Sequence, residues 1–109
     1  MKSFTDATYI EAGDMSADIT GPSLNTRETR MASFTCIFAG LPDGDLIVQG
    51  SNDGGVTWAD YASIEVAAAG SIALNYADIG FEYMRINFDF TAGTGTLEVQ
   101  TGVKRDDWK

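Results

Sequence analysis

The chain is predicted to be all-β, an antiparallel β-sandwich, on three observations. Apolar residues recur at period two instead of at helical spacing. Turn residues punctuate them at roughly ten-residue intervals. Twelve glycines against two prolines supply many tight turns, which suits short strands better than long helices. One apolar and one polar side per strand is the mark of antiparallel sheets with one packed and one wet face, as in a sandwich or jelly roll.

The first thirty residues are the least regular. Phe4 to Ile10 and Met15 to Ile19 are expected strands, Gly21-Pro22 and Asn25 break any longer pattern, and the polar run Thr26 to Arg30 is expected as a connection. Met31 to Phe38 then puts Phe34, Cys36 and Phe38 on one face. Leu41-Pro42-Asp43-Gly44-Asp45 has the chemistry of a turn. Leu46 to Ser51 is apolar enough to be a central strand. After Asn52-Asp53-Gly54-Gly55, the stretch Thr57 to Tyr61 returns as the second arm of a hairpin. Ser63 to Val66 and Ser71 to Tyr76 follow, and the alanine run between them is too short to hold a helix alone.

The clearest strand is Glu82 to Phe90, with Met84, Ile86, Phe88 and Phe90 on one side and Tyr83, Arg85, Asn87 and Asp89 on the other. Ala92-Gly93-Thr94-Gly95 is expected to turn the chain, and Thr96 to Val103 alternates with Leu97, Val99 and Val103 inward. The predicted core is Phe34, Phe38, Trp58, Ile86, Phe88, Leu97 and Val99. A length of 109 residues fits one domain over 1–109, with 104–109 as a frayed tail. No supersecondary unit repeats, so a propeller or solenoid is not expected.

Composition narrows the function. A net charge of −9 with seven basic residues repels a phosphate backbone and an anionic membrane surface, so neither nucleic acid nor membrane is an expected partner. The opening Met1-Lys2-Ser3-Phe4-Thr5-Asp6 turns polar at once, which predicts no export leader. Cys36 is the single cysteine, so no intrachain disulfide forms, which is compatible with assembly in a reducing cytosol.

Catalysis has little to work with. Histidine is absent, which removes the usual general base and the commonest metal ligand. Cys36 alternates with core residues, where an inert buried thiol is the ordinary case. The neighbouring acids Asp43 with Asp45, and Asp53 with Asp60, lack the deep cleft an acid-pair hydrolase needs. The chain is therefore expected not to be an enzyme and to hold no cofactor. Asp43, Asp45 and Asp53 are the candidate calcium ligands by residue type, but they lack the spaced ligands and closing Glu of an EF-hand loop. Asp in a turn glycine's company ordinarily bonds its own backbone.

Ser51-Asn52-Asp53-Gly54-Gly55-Val56-Thr57-Trp58 resembles the Asp-box, a Ser-x-Asp-x-Gly-x-Thr-Trp hairpin motif. The resemblance implies that Asp53 accepts backbone N–H groups across the turn, that glycines take positive φ, and that Trp58 anchors the hairpin in the core. Over Met31 to Lys104, the order of Phe34 strand, Ser-Asn-Asp-Gly turn, Trp58, Tyr83-Met84-Arg85-Ile86 and Gly93-Thr94-Gly95-Thr96 is similar to two groups. These are small β-sandwich proteins of tailed-phage structural genes and discoidin-type, galactose-binding-like sandwiches.

The phage resemblance fits better in length and in the missing disulfide. It implies a non-enzymatic structural or assembly protein, associated with a virion or derived from a phage. Such a protein resides in the virion, or in the host cytoplasm before assembly, and partners copies of itself or other virion proteins. The alternative is a small carbohydrate-binding module for glycan or host attachment, using Tyr61, Tyr76 or Trp108. Tyr83, Arg85 and Asn87 form the candidate interface, because Tyr and Arg are enriched in interfaces. The competing reading of Arg85 is a cross-strand ion pair with a nearby acid.

Overall fold

Period-two alternation is sustained through two unusually long strands, Thr29–Ser51 and Tyr83–Asp106, of 23 and 24 residues. In a computed structural model that describes residues 2–27, 29–77 and 80–106, these are β4 and β7 in a series of β1 (Lys2–Asp14), β2 (Ile19–Thr20), β3 (Leu24–Asn25), β5 (Ala59–Val66) and β6 (Gly70–Ala77). β4 and β7 run antiparallel along their whole lengths, from Thr29 opposite Arg105 to Ser51 opposite Tyr83. Ordinary strands are far shorter, and this pair bends at its middle into two layers.

The bend is a waist of small residues. Gly40 stands opposite Gly95, and Pro42 opposite Gly93. Gly40 and Gly93 hold φ of 90° and 84°, a region in which L side chains are strained. The register shifts between Asp43 and Gly44 against Ala92 and Phe90, leaving Thr91 as an extra residue of β7. That bulge kinks the strand and switches its inward parity, from Met84, Ile86 and Phe88 to Leu97, Val99 and Val103. β4 has no such switch, so Phe34, Cys36, Leu46 and Val48 all point inward. One face of one sheet has become the interior of a sandwich.

This corrects the reading of Leu41–Asp45 and Ala92–Gly95 as reversing turns. Both lie inside strands, and their glycines and proline bend two paired strands together. The frayed tail expected over 104–109 is corrected over 104–106, while 107–109 lie outside the described residues. Lys104 to Asp106 continue β7, where β1 pairs with it from Lys2–Asp106 to Asp14–Thr96. Backbone hydrogen bonds to β1 hold that end in place. Thr29 and Arg30, expected in a connection, already belong to β4.

The first layer is β1, the C-terminal half of β7, the N-terminal half of β4, and β6 at the edge. The second is β2 and β3, the N-terminal half of β7, the C-terminal half of β4, and β5. Phe34, Cys36, Leu97 and Val99 from the first layer pack in one cluster with Leu46, Val48, Val66, Met84, Ile86 and Phe88 from the second. Met15, expected in a strand, instead plugs this core from the link after β1. Phe38 packs against the cluster half-buried.

Tyr9 ties the layers. Its ring meets Phe34 edge-on at 5.7 Å. Its hydroxyl donates to the Pro22 carbonyl and accepts the Ile86 amide at 3.3 Å. Burial pushes this hydroxyl up to about 12, against the Ile86 amide's opposing pull. Gly21 fits beneath because a Cβ there would fall inside contact of the Ile86 carbonyl oxygen and the Tyr9 ring. At the opposite seam, Tyr61 of β5 meets Tyr76 of β6 at 5.1 Å and Phe81 at 5.5 Å.

Candidate functional site

The outward residues of the second layer gather most of the side chains singled out from sequence. Tyr83, Arg85 and Asn87 line up on β7 beside Gln49 on β4, because Gln49 stands opposite Arg85 and Ile47 opposite Asn87. Gln49 Oε1 accepts Arg85 Nε at 2.8 Å and Asn87 Nδ2 at 3.0 Å. Gln49 Nε2 donates to Asp60 at 2.8 Å, so Asp60 joins Arg85 at one remove. Asn87 Oδ1 in turn accepts the Gly21 amide at 3.1 Å. The guanidinium of Arg85 lies 4.2 Å from the centre of the Trp58 ring, and that of Arg27 5.5 Å from Tyr83. Arg85 is thus held by an amide and an aromatic face, where an ion pair with a neighbouring acid was the competing expectation. A cation over an indole contributes on the order of 1 kcal/mol at a half-covered position.

Trp58 corrects the predicted core list. It is half-buried on the outer face, donating Nε1–H to the Gly55 carbonyl at 3.0 Å. The Ser51–Trp58 turn before β5 places the indole over Arg85, held there by its bond to the Gly55 carbonyl. Ser51 and Asp53 organise that turn. The Asp53 carboxylate accepts the Ser51 hydroxyl at 2.8 Å, the Thr57 amide at 2.8 Å and the Val56 amide at 3.2 Å. Ser51 Oγ accepts the Gly55 amide at 3.0 Å. Gly54 and Gly55 take φ of 77° and 88°. Glu82, which sequence reasoning passed over, closes the loop by accepting the Gly54 amide at 3.1 Å and pairing with Arg27 at 3.1 Å.

The Thr57 amide and then its hydroxyl and that of Ser51 hold the Asp53 carboxyl down from 3.8 to about 2. A folded value below the unfolded one stabilises the turn above pH 3.8, and that contribution is lost as pH falls toward 2. The Val56 and Thr57 amide resonances are expected to shift together in an NMR titration centred near the folded value of about 2, and Asp53→Asn to abolish the transition. Amides that ignore the window in the native chain contradict the assignment.

The calcium candidates are not brought together. Asp53 sits in the loop with its carboxylate already bonded, whereas Asp43 and Asp45 point outward near the waist. Asp45 faces Glu65 on β5 and Asp89 on β7, a row of like charges that costs stability. Among the described residues no group of three His, Cys, Asp or Glu side chains is placed to hold a metal. Cys36 is fully buried, and burial raises its thiol to about 11. Tyr61 and Tyr76 pack edge to face across the seam and present no flat shared platform. Trp108 lies outside the described residues.

The architecture is that of an antiparallel β-sandwich built from one folded sheet. Neither a protein-family model nor a curated protein matches the chain. Solved structures do. The SPBc2 prophage-derived protein YomS is similar at a TM-score of 0.63 and 13% identity, over 95% of both chains. PBSX exported protein XepA is similar at 0.65 and 12%, over 100% of this chain, which spans 38% of that one. A chain of the disulfide-linked pili that form Bacillus endospore appendages is similar at 0.54 and 16%, over 96% of this chain and 84% of that one. At these identities the likeness shows the fold.

Proposed function

We propose that this chain is a non-enzymatic building block of a phage-derived particle, acting through contacts with copies of itself and with other particle proteins. The observation that carries the reading is the end-to-end correspondence with prophage-derived YomS, with 95% of each chain covered. The chemistry of the chain supports it: histidine is absent, and the one thiol is buried with its proton held. The Asp-box-like Ser51–Trp58 hairpin acts as a structural corner. The Tyr83–Arg85–Asn87 strip is a preorganised polar face for a contact with another virion protein, its groups already held by Gln49 and Trp58 and therefore costing little ordering on binding.

Light scattering coupled to size exclusion, over a wide concentration range, tests the reading. A discrete oligomer whose mass persists on dilution is expected. A monomer at every concentration overturns self-assembly, and a positive glycan array on that monomer would replace the reading with a carbohydrate-binding module.

A further inference from the structure

The sheets end in edges of very different chemistry. β1 carries Lys2, Asp6, Glu11 and Asp14. β2 and β3 have two residues each. β5 carries Asp60 and Glu65. β6 is different: from Val66 to Ala77 the chain holds no charged residue and no proline. β6 pairs with β4 and, among the described residues, with no other strand. Its partner stretch on β4, Met31 to Phe38, is equally uncharged. Natural proteins ordinarily blunt a long free edge with charge, proline or a bulge. β6 has none of these, and its pairing with β4 is regular from Met31–Ala77 to Phe38–Gly70.

Side chains add to the backbone. Ile72, Leu74 and Tyr76 pack against the core yet remain half-buried, because the layer stops there. Ile37, 44% exposed, stands opposite Ser71 on the outer face. The outward residues Ser71, Ala73 and Asn75 are small and neutral, so a second strand meets no bulk.

We propose that β6 is a self-association edge, which pairs antiparallel with β6 of a second copy about a two-fold axis and continues the first layer across the dimer. The proposal rests on the building-block reading and names its interface. Among the edges, charge selects where two copies can meet. Each copy carries −9, so copies repel through most of their surface. A two-fold pairing centred on β5 would set Asp60 of one copy against Glu65 of the other, whereas β6 sets neutral residues against neutral ones. An isologous contact also satisfies the free N–H and C=O groups of both strands with one patch.

The test is the dissociation constant of the full-length chain by sedimentation or light scattering on dilution, with circular dichroism confirming the fold. Ala73→Glu and Ala73→Lys are both expected to weaken association by about tenfold or more, since like charges meet across the axis whichever sign is introduced. Ser63→Glu, outward on β5, is expected to leave it unchanged. Wild-type association in both Ala73 variants overturns the β6 edge while leaving the building-block reading intact. Weakening by both glutamates but not by the lysine attributes the effect to net charge and also overturns it. A wild-type monomer at all concentrations overturns both.

Discussion

Replacing Gly93 by alanine is expected to cost about 3 kcal/mol or more, enough to consume much of the stability of an ordinary domain. Two causes act at once. Gly93 has φ of 84°, where a Cβ is strained. That Cβ would also lie well inside contact of the Leu41 carbonyl oxygen on the facing strand, and backbone cannot swing aside as a side-chain tip can. Gly54 separates the two causes. Its φ of 77° is nearly the same, but a Cβ there meets nothing within 4 Å. Gly54→Ala should therefore cost only about 1 kcal/mol, the conformational part alone. Urea midpoints of the two variants, at unchanged slope, measure the difference. Equal costs would mean that the waist does not hold the strands as close as described.

Phe34→Ala is expected to cost about 4 kcal/mol, the usual range for deleting a buried phenyl ring. Phe34 is fully buried, and Tyr9 leans on its ring edge-on at 5.7 Å. Removing it leaves a cavity and also frees the ring of Tyr9, whose hydroxyl joins β1 to the Ile86 amide and the Pro22 carbonyl. The loss should thus exceed that of Phe38→Ala, a half-buried ring at the end of the β6 pairing. Thermal or urea unfolding of both variants checks the order. A smaller loss at Phe34 than at Phe38 would contradict the layer packing.

Legibility followed the range of the forces involved. Glu82–Phe90 was readable because period-two alternation is a local property, and its two sides are the core and the strip of Tyr83, Arg85 and Asn87. Phe34, Ile86, Phe88, Leu97 and Val99 were readable for the same reason. The hydrogen bonds of Asp53 follow from bonds to residues three and four positions on, so the turn too was written locally. Met15 was not readable, since one apolar residue in a polar stretch has no periodicity to reveal it. Gln49 and Glu82 escaped notice because their roles depend on partners about thirty or more residues away, as in the bonds from Arg85 to Gln49 and from Gly54 to Glu82, and Phe81 because its ring contact is with Tyr61 on another strand.

What the chain determined by itself was the alternation of its central strands, the inward faces of Phe34, Ile86, Phe88, Leu97 and Val99 and the Ser51–Trp58 turn, since alternation and turn chemistry act between near neighbours. Only the tertiary structure decided what Leu41–Asp45 and Ala92–Gly95 do. The same glycines and proline serve a chain reversal or a bend of two paired strands, and the choice falls to the bend because β4 and β7 reach the waist in register, Gly40 against Gly95. The side of the sheet that Trp58 covers was likewise settled there. An indole can enter a core or lie over a cation, and here its bond to the Gly55 carbonyl and the Arg85 guanidinium 4.2 Å away hold it outside.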